Sequence, residues 1–223
     1  MLSDIWTVYF KDIKLDLRSM ENFISMLFFS VIILLIFAFA LPADEKNHQL
    51  LSPGIFWVTF LLSGLLSLNK TFQMEKDNAC MDAMLLTPIS RGAIFLGKMT
   101  GNLTFILAIQ AILIPIFSLL FYSQILDYFF PLMLLSLIAA VGFSSLGTLL
   151  SGMTSDLRFK EILLPVLLFP LLIPLLLAAV KITQAILAGE GLQGELDWLK
   201  LLLGFDGIFL VISYLTFDFV MEA

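Results

Sequence analysis

Charge is scarce in this sequence. Asp, Glu, Lys and Arg supply 13% of its 223 residues, about half of the roughly 25% usual for soluble domains. One cysteine, Cys80, excludes an intramolecular disulfide and any C-x-x-C site. No Ser-, Gly- or Pro-rich linker, low-complexity tract or internal repeat divides the chain, so 1–223 reads as a single domain. The small charge it has is acidic, net −6 with a pI near 4.6, which argues against a nucleic-acid partner.

Apolar surface fills the gap. Sixty per cent of the residues are hydrophobic and the mean hydropathy is +1.03, so the chain is written for a lipid bilayer. Uncharged runs at 23–41, 50–68, 99–126, 128–155 and 162–180 each reach the length of about 20 residues needed to cross a hydrocarbon core. A sixth, 201–219, carries Asp206 and Asp218. Only helices or closed barrels satisfy backbone N–H and C=O groups in lipid, and these runs lack the period-2 alternation of a barrel strand. The predicted fold class is all-α, a polytopic membrane protein with six transmembrane helices.

The cations orient it. Nine of the twelve fall on one side: Lys11, Lys14 and Arg18; Lys70, Lys76, Arg91 and Lys98; Arg158 and Lys160. Lys46, Lys181 and Lys200 fall on the other. The positive-inside rule then puts both termini in the cytoplasm. Ala38-Phe39-Ala40 has the form of a signal-peptidase site, but the apolar run before it is too long for a signal peptide, so the first span is expected to be retained. The absence of an Arg/Ser-rich presequence favours a bacterial inner membrane over a mitochondrial one.

Residues 1–22 precede the first span. Ile5, Trp6, Tyr9, Phe10, Ile13 and Leu17 recur at helical spacing, the pattern of an amphipathic helix lying on the membrane surface or packed against another subunit. Between spans two and three, 73–98 concentrates charge. Glu75 opens a segment with Asp77, Asn78 and Asp82 among Ala79, Met81, Leu85 and Leu86, and Thr87-Pro88 ends it. Arg91 and Lys98 then lead into span three at the expected level of the headgroups. This is either a short amphipathic helix that a partner can grip or a solvated loop with two anchoring cations. The stretch GAIFLGK (92–98) matches seven positions of a phosphate-binding P-loop, but the eighth is Met99 where Ser or Thr would hold Mg²⁺, and a strand does not precede it.

Resemblance favours the docking reading. The surface helix, six spans and a first cytoplasmic loop ending in LLTPISRGAIFLGK (85–98) resemble the permease subunit of ABC-2 type exporters. More narrowly, KLDLRSMENF (14–23), FAFALP (37–42), the run LSPGIFWVTFLLSGLLSLNK (51–70) with its following loop, VGFSSLGTLLSGM (141–153) and FKEILLPVLLFPLLIPLLLAAV (159–180) are similar to the haem exporter protein B (CcmB) family of the cytochrome c maturation system. The resemblance implies a subunit with no catalytic, cofactor or metal site of its own. It implies a coupling helix carrying Glu75, Asp77, Asp82, Leu85, Leu86, Thr87, Pro88 and Arg91. The implied partners are a soluble ATPase (CcmA-like) that binds ATP and Mg²⁺, a second copy of the chain, a haem-handling membrane protein (CcmC-like), a small membrane subunit (CcmD-like) and a haem chaperone (CcmE-like). A different ABC-2 exporter, moving lipid, glycan or drug, would share the loop but not the motifs of spans two and five.

The residues themselves offer haem little. His48 is the sole histidine, in the outer stretch PADEKNHQL, and reads as solvated polarity before axial ligation. Trp6, Trp57 and Trp198 are scattered and are expected at the interfaces, while Met in apolar spans is usual core packing. Gly142, Ser144, Ser145, Gly147, Thr148, Ser151 and Gly152 offer close helix contact in span four, and Pro165, Pro170 and Pro174 loosen span five. Asp206 is the intramembrane polar candidate; its place near the start of the last run predicts that it snorkels to the outer water or marks a later helix start.

Overall fold

The computed structural model describes residues 2–41, 45–72, 89–121, 124–155, 157, 159–189 and 192–220. Among them are seven α-helices: α1 (Leu2–Ser19), α2 (Glu21–Ala40), α3 (Glu45–Lys70), α4 (Arg91–Phe121), α5 (Phe129–Thr154), α6 (Lys160–Ala188) and α7 (Leu196–Val220). Short 3-10 turns at Gln124–Tyr128 and Leu192–Glu195 precede α5 and α7. Helices α2 to α7 are each long and apolar enough to cross a membrane. The chain is therefore an all-α, multi-pass membrane protein.

Several helices outrun the uncharged stretches that announced them. α4 begins at Arg91, α6 continues through Lys181 to Ala188, and α7 begins at Leu196. A charge marks where a helix leaves hydrocarbon, not where its hydrogen bonds end. Pro53, Pro115, Pro165, Pro170 and Pro174 all lie inside unbroken helices. Neighbouring helices and local adjustment absorb the lost backbone bonds in a membrane.

The surface helix α1 meets the first span at one residue, Met20, whose φ of 51° is left-handed. Such a corner lets the chain change direction without a loop. α1 uses two faces. Val8 is buried, with Ile5 and Tyr9 partly so, while Trp6, Phe10 and Leu17 are exposed, with Trp6 stacked on Phe10 at 5.4 Å. The inner face packs on the chain's own α4, and the outer stripe stays exposed, the face that lipid or another subunit would cover.

Burial separates centre from rim. Two thirds of the α3 span and 56% of the α5 span are buried, against 22% for α2 and for α7. In α5 every residue from Gly142 to Gly152 is buried, so its small side chains do serve close contact. Lipid tails are as apolar as leucine, so helices in a bilayer are held by fit, and fit needs small residues. The fit here is reciprocal. A Cβ on Gly64 of α3 would lie 2.7 Å from the Phe143 ring of α5, and one on Gly147 of α5 would run into Leu68 of α3. Each helix thus receives a large side chain from the other over a glycine.

Farther from the chain termini, Phe56, Trp57 and Phe60 of α3, Phe117 and Phe121 of α4, and Phe143 of α5 form an edge-to-face and stacked cluster. Trp57 is 1% exposed, and its Nε1–H donates to Thr183 Oγ1 of α6 at 2.8 Å. Its expected interfacial place is thereby corrected: the indole is core, and its one polar group is satisfied by a hydroxyl from a distant span.

Gly64→Ala is predicted to destabilise the bundle by about 1–3 kcal/mol through overpacking. Gly64→Ala with Phe143→Leu in the same chain should cost less than the two single changes together, because the smaller side chain makes room for the methyl and the methyl fills part of the space the ring leaves. Thermal unfolding of the four proteins in one detergent measures this; strict additivity would contradict the contact.

Candidate coupling site at the basic end of the bundle

Of the predicted coupling residues, Glu75, Asp77, Asp82, Leu85, Leu86, Thr87 and Pro88 lie outside the described residues; Arg91 is within them. Both flanks of 73–88 are described, and they converge. Phe72 is 3% exposed and belongs to a buried cluster with Val8, Ile94, Phe95, Met99, Leu149 and Phe217, against which Ile89 also packs. This cluster takes residues from α1, the end of α3, the start of α4, and the ends of α5 and α7. Phe217 holds Phe95 at 5.2 Å and Phe72 at 6.3 Å between ring centroids. The described residues on either side of 73–88, Phe72 and Ile89, therefore meet at one plug.

A polar layer lies just inside the plug. Lys98 of α4 was expected to anchor in the headgroups as a solvated cation, and the structure corrects its surroundings: the side chain turns into the bundle and is 1% exposed. The Nζ donates to Asp12 Oδ2 at 3.2 Å and to the Thr71 carbonyl at 2.8 Å, and sits 4.8 Å from the centre of the Phe72 ring. A buried ammonium is tolerable when a carboxylate, a carbonyl and a π-face replace its water. One turn on, Asn102 accepts from Ser67 Oγ at 3.2 Å and Thr71 Oγ1 at 3.1 Å and donates to Thr148 Oγ1 at 3.1 Å. Ser151 Oγ of α5 donates to the Leu68 carbonyl at 2.7 Å. These bonds tie α1, α3, α4 and α5 together beside the exit of the loop.

The GAIFLGK stretch has its explanation here. Gly97 lies where α1 crosses α4, since a Cβ there would sit 2.6 Å from Val8 Cβ and 3.2 Å from the Ile5 carbonyl. Gly92 lies under the Tyr214 ring of α7, 2.7 Å from an added Cβ. The lysine is the buried ion-pair partner. What looks like a phosphate loop is two helix crossings and a salt bridge on one helix. Arg91, at the mouth, donates from Nη1 to the Asp218 carbonyl at 3.2 Å, linking the start of α4 to the end of α7.

Asp206 stands apart from this site. It lies ten residues into α7, is 7% exposed, and packs where Gly142 of α5 leaves space, with Leu175 of α6 alongside. The expectation of a snorkelling or helix-starting acid is corrected, because α7 starts earlier and turns this residue inward. Its Oδ1 has no hydrogen-bond partner among the described residues.

Reasoning from sequence missed Asp12, Thr71 and Asn102. A signal for one of them was present: Lys98 and Asn102 are four apart, so they share one face of a helix. Asp12 and Thr71 carry no such mark, because their partner lies in another element.

Comparison with known proteins gives the family. The model of a family described as CcmB protein matches residues 3–222. The chain belongs to the CcmB family. Relatives named heme exporter protein B include one from Pseudomonas aeruginosa, 30% identical over 85% of this chain and 84% of its own. Another, from Rhodobacter capsulatus, is 27% identical over 83% and 84%, and one from Haemophilus influenzae is 26% identical over 78% and 79%. The matched region of the CcmB model takes in both the plug and the polar layer.

Asp12→Ala should destabilise the protein by about 3–5 kcal/mol, since it takes the carboxylate away from a buried ammonium. Lys98→Met together with Asp12→Leu should cost much less. Melting temperature and monodispersity on gel filtration distinguish the two; a wild-type melting temperature for Asp12→Ala would contradict the buried pair.

Proposed function

We propose that the chain is the permease subunit of an ATP-binding-cassette complex required for cytochrome c biogenesis. ATP is hydrolysed on a soluble partner ATPase, and this chain carries the resulting movement across the membrane to haem export or to release of the haem-loaded chaperone. Membership of the CcmB family and the names of the relatives support the pathway. The observation that carries the coupling role is the return of both ends of 73–88 into one buried plug.

A pull on the loop acts on that plug as a lever. Phe72 lies two residues past the end of α3 and Ile89 two before the start of α4, so displacement of the segment bears on the ends of two central spans. Close-packed helices respond as bodies, because their side chains have few intermediate arrangements. The movement then reaches α5 through Asn102–Thr148 and Ser151–Leu68, and α7 through Phe217 and Arg91. For ATP to shift the permease between states, the ATPase must hold the loop differently when open and when closed; equal grip in both would shift nothing.

In this reading the termini and the plug are cytoplasmic, which the distribution of Lys and Arg supports, and the membrane is the bacterial inner membrane. A second copy pairs with the first above two ATPase copies, and the haem-handling protein, small subunit and chaperone engage the opposite side. Haem is the cargo of the pathway. This chain acts as transmitter, with ATP and Mg²⁺ bound on the partner and no cofactor of its own.

Glu75→Lys, or replacement of Thr87-Pro88 by Ala-Ala, should leave the protein inserted at normal abundance. ATP hydrolysis in the purified complex should fall to the uncoupled level, and haem-c staining of cell extracts should disappear. Normal staining at normal abundance would contradict the role assigned to the loop.

A further inference from the structure

Beside the polar layer, α1, the first turn of α2, the end of α3 and α4 enclose a cleft of about 40 Å³ lined by Asp12, Asp16, Asn22, Lys70, Thr71 and Lys98. One water needs roughly 10–15 Å³ by this measure, so the cleft admits a group of two or three heavy atoms. Asn22 is 5% exposed, and its Oδ1 has no hydrogen-bond partner among the described residues. A buried acceptor left unpaired is costly, and a donor entering the cleft removes that cost.

Charge narrows the donor. Two carboxylates and two ammonium groups line one small space, so a bare anion enters against Asp12 and Asp16 and a bare metal cation against Lys70 and Lys98. A zwitterion meets both signs. Its cationic end must be compact and carry N–H groups for Asn22, and its anionic end must remain near Lys70, which is exposed. The cleft also sits where the surface helix meets the span ends, with Leu15, 44% exposed, at its edge. That is the level of lipid headgroups.

We propose that this cleft binds the headgroup of phosphatidylethanolamine, with its ammonium inside against Asn22 and its phosphate at Lys70. A choline headgroup has no N–H to give and is too large; a glycerol headgroup has no cation. The site would hold a lipid at the joint between α1 and the first span, next to the Lys98–Asp12 pair. It does not depend on the transport reading.

The full chain, purified in detergent and exchanged into vesicles with equal phosphatidylethanolamine, phosphatidylcholine and phosphatidylglycerol, is re-extracted and its retained lipid measured by mass spectrometry. Phosphatidylethanolamine should be retained about tenfold over phosphatidylcholine, the value of one charge-assisted hydrogen bond. Asn22→Leu should bring the ratio near one, and Asn22→Asp, which keeps an acceptor, should preserve it. Lys70→Ala, at an exposed position, should lower retention several-fold while leaving the melting temperature near that of the wild type. Equal retention by the wild-type chain, preference for phosphatidylglycerol, or insensitivity to Lys70→Ala would overturn the proposal. So would stripping of the lipid by soluble glycerophosphoethanolamine at concentrations matched to the protein, which would point to a soluble ligand.

Discussion

A lysine ammonium held out of water needs several partners at once, and the partners of Lys98 come from places far apart in the chain. Asp12 belongs to the surface helix, the Thr71 carbonyl and the Phe72 ring to the end of the second span. Satisfying that one charge fixes α1 and α3 against α4. Gly97, the residue before it, lets α1 come close enough for the pair to form, and the apolar plug shields the pair from the side of the loop. Buried ion pairs are weak contributors to net stability but strong constraints on arrangement, because most other arrangements leave a charge unpaired.

From that constraint the remaining organisation follows. α5 is locked to α3 by exchange of large side chains over Gly64 and Gly147 and by hydroxyl bonds to Asn102 and Leu68. α7 joins through Phe217 at the basic end and lies against Gly142 through Asp206 deeper in. A chain of packed side chains thus runs from the flanks of 73–88 to the middle of the bundle. Its members are rigid helices in close contact, the arrangement in which a displacement at one end is passed on as movement of whole elements. The aromatic cluster around Trp57 stiffens the far half.

Much of this was legible in the sequence. Six long apolar runs predicted six membrane helices, because a bilayer permits little else, and the period of Ile5, Tyr9 and Leu17 predicted α1. The small residues of α5 announced close contact through their type alone. What failed to show was pairing across distance. Trp57 looks like an interfacial residue until Thr183, more than a hundred positions away, accepts its N–H. Lys98 looks like a headgroup anchor until Asp12 reaches it. Asp206 looks like an acid near a helix start, because the run of uncharged residues begins at Leu201 while the helix begins at Leu196. In each case composition placed the residue near an end of a span, and a contact in three dimensions decided otherwise.

The central claim is that 73–88 receives force from an ATPase and that the plug takes it up. The segment contains the chain's single cysteine, Cys80, which offers a direct probe. A short photo-crosslinker attached there in native membranes, with and without ATP, reports what the segment touches. The account predicts a crosslink to a nucleotide-binding protein whose yield changes with ATP. Crosslinks to lipid alone, or to a protein contact indifferent to nucleotide, would contradict it.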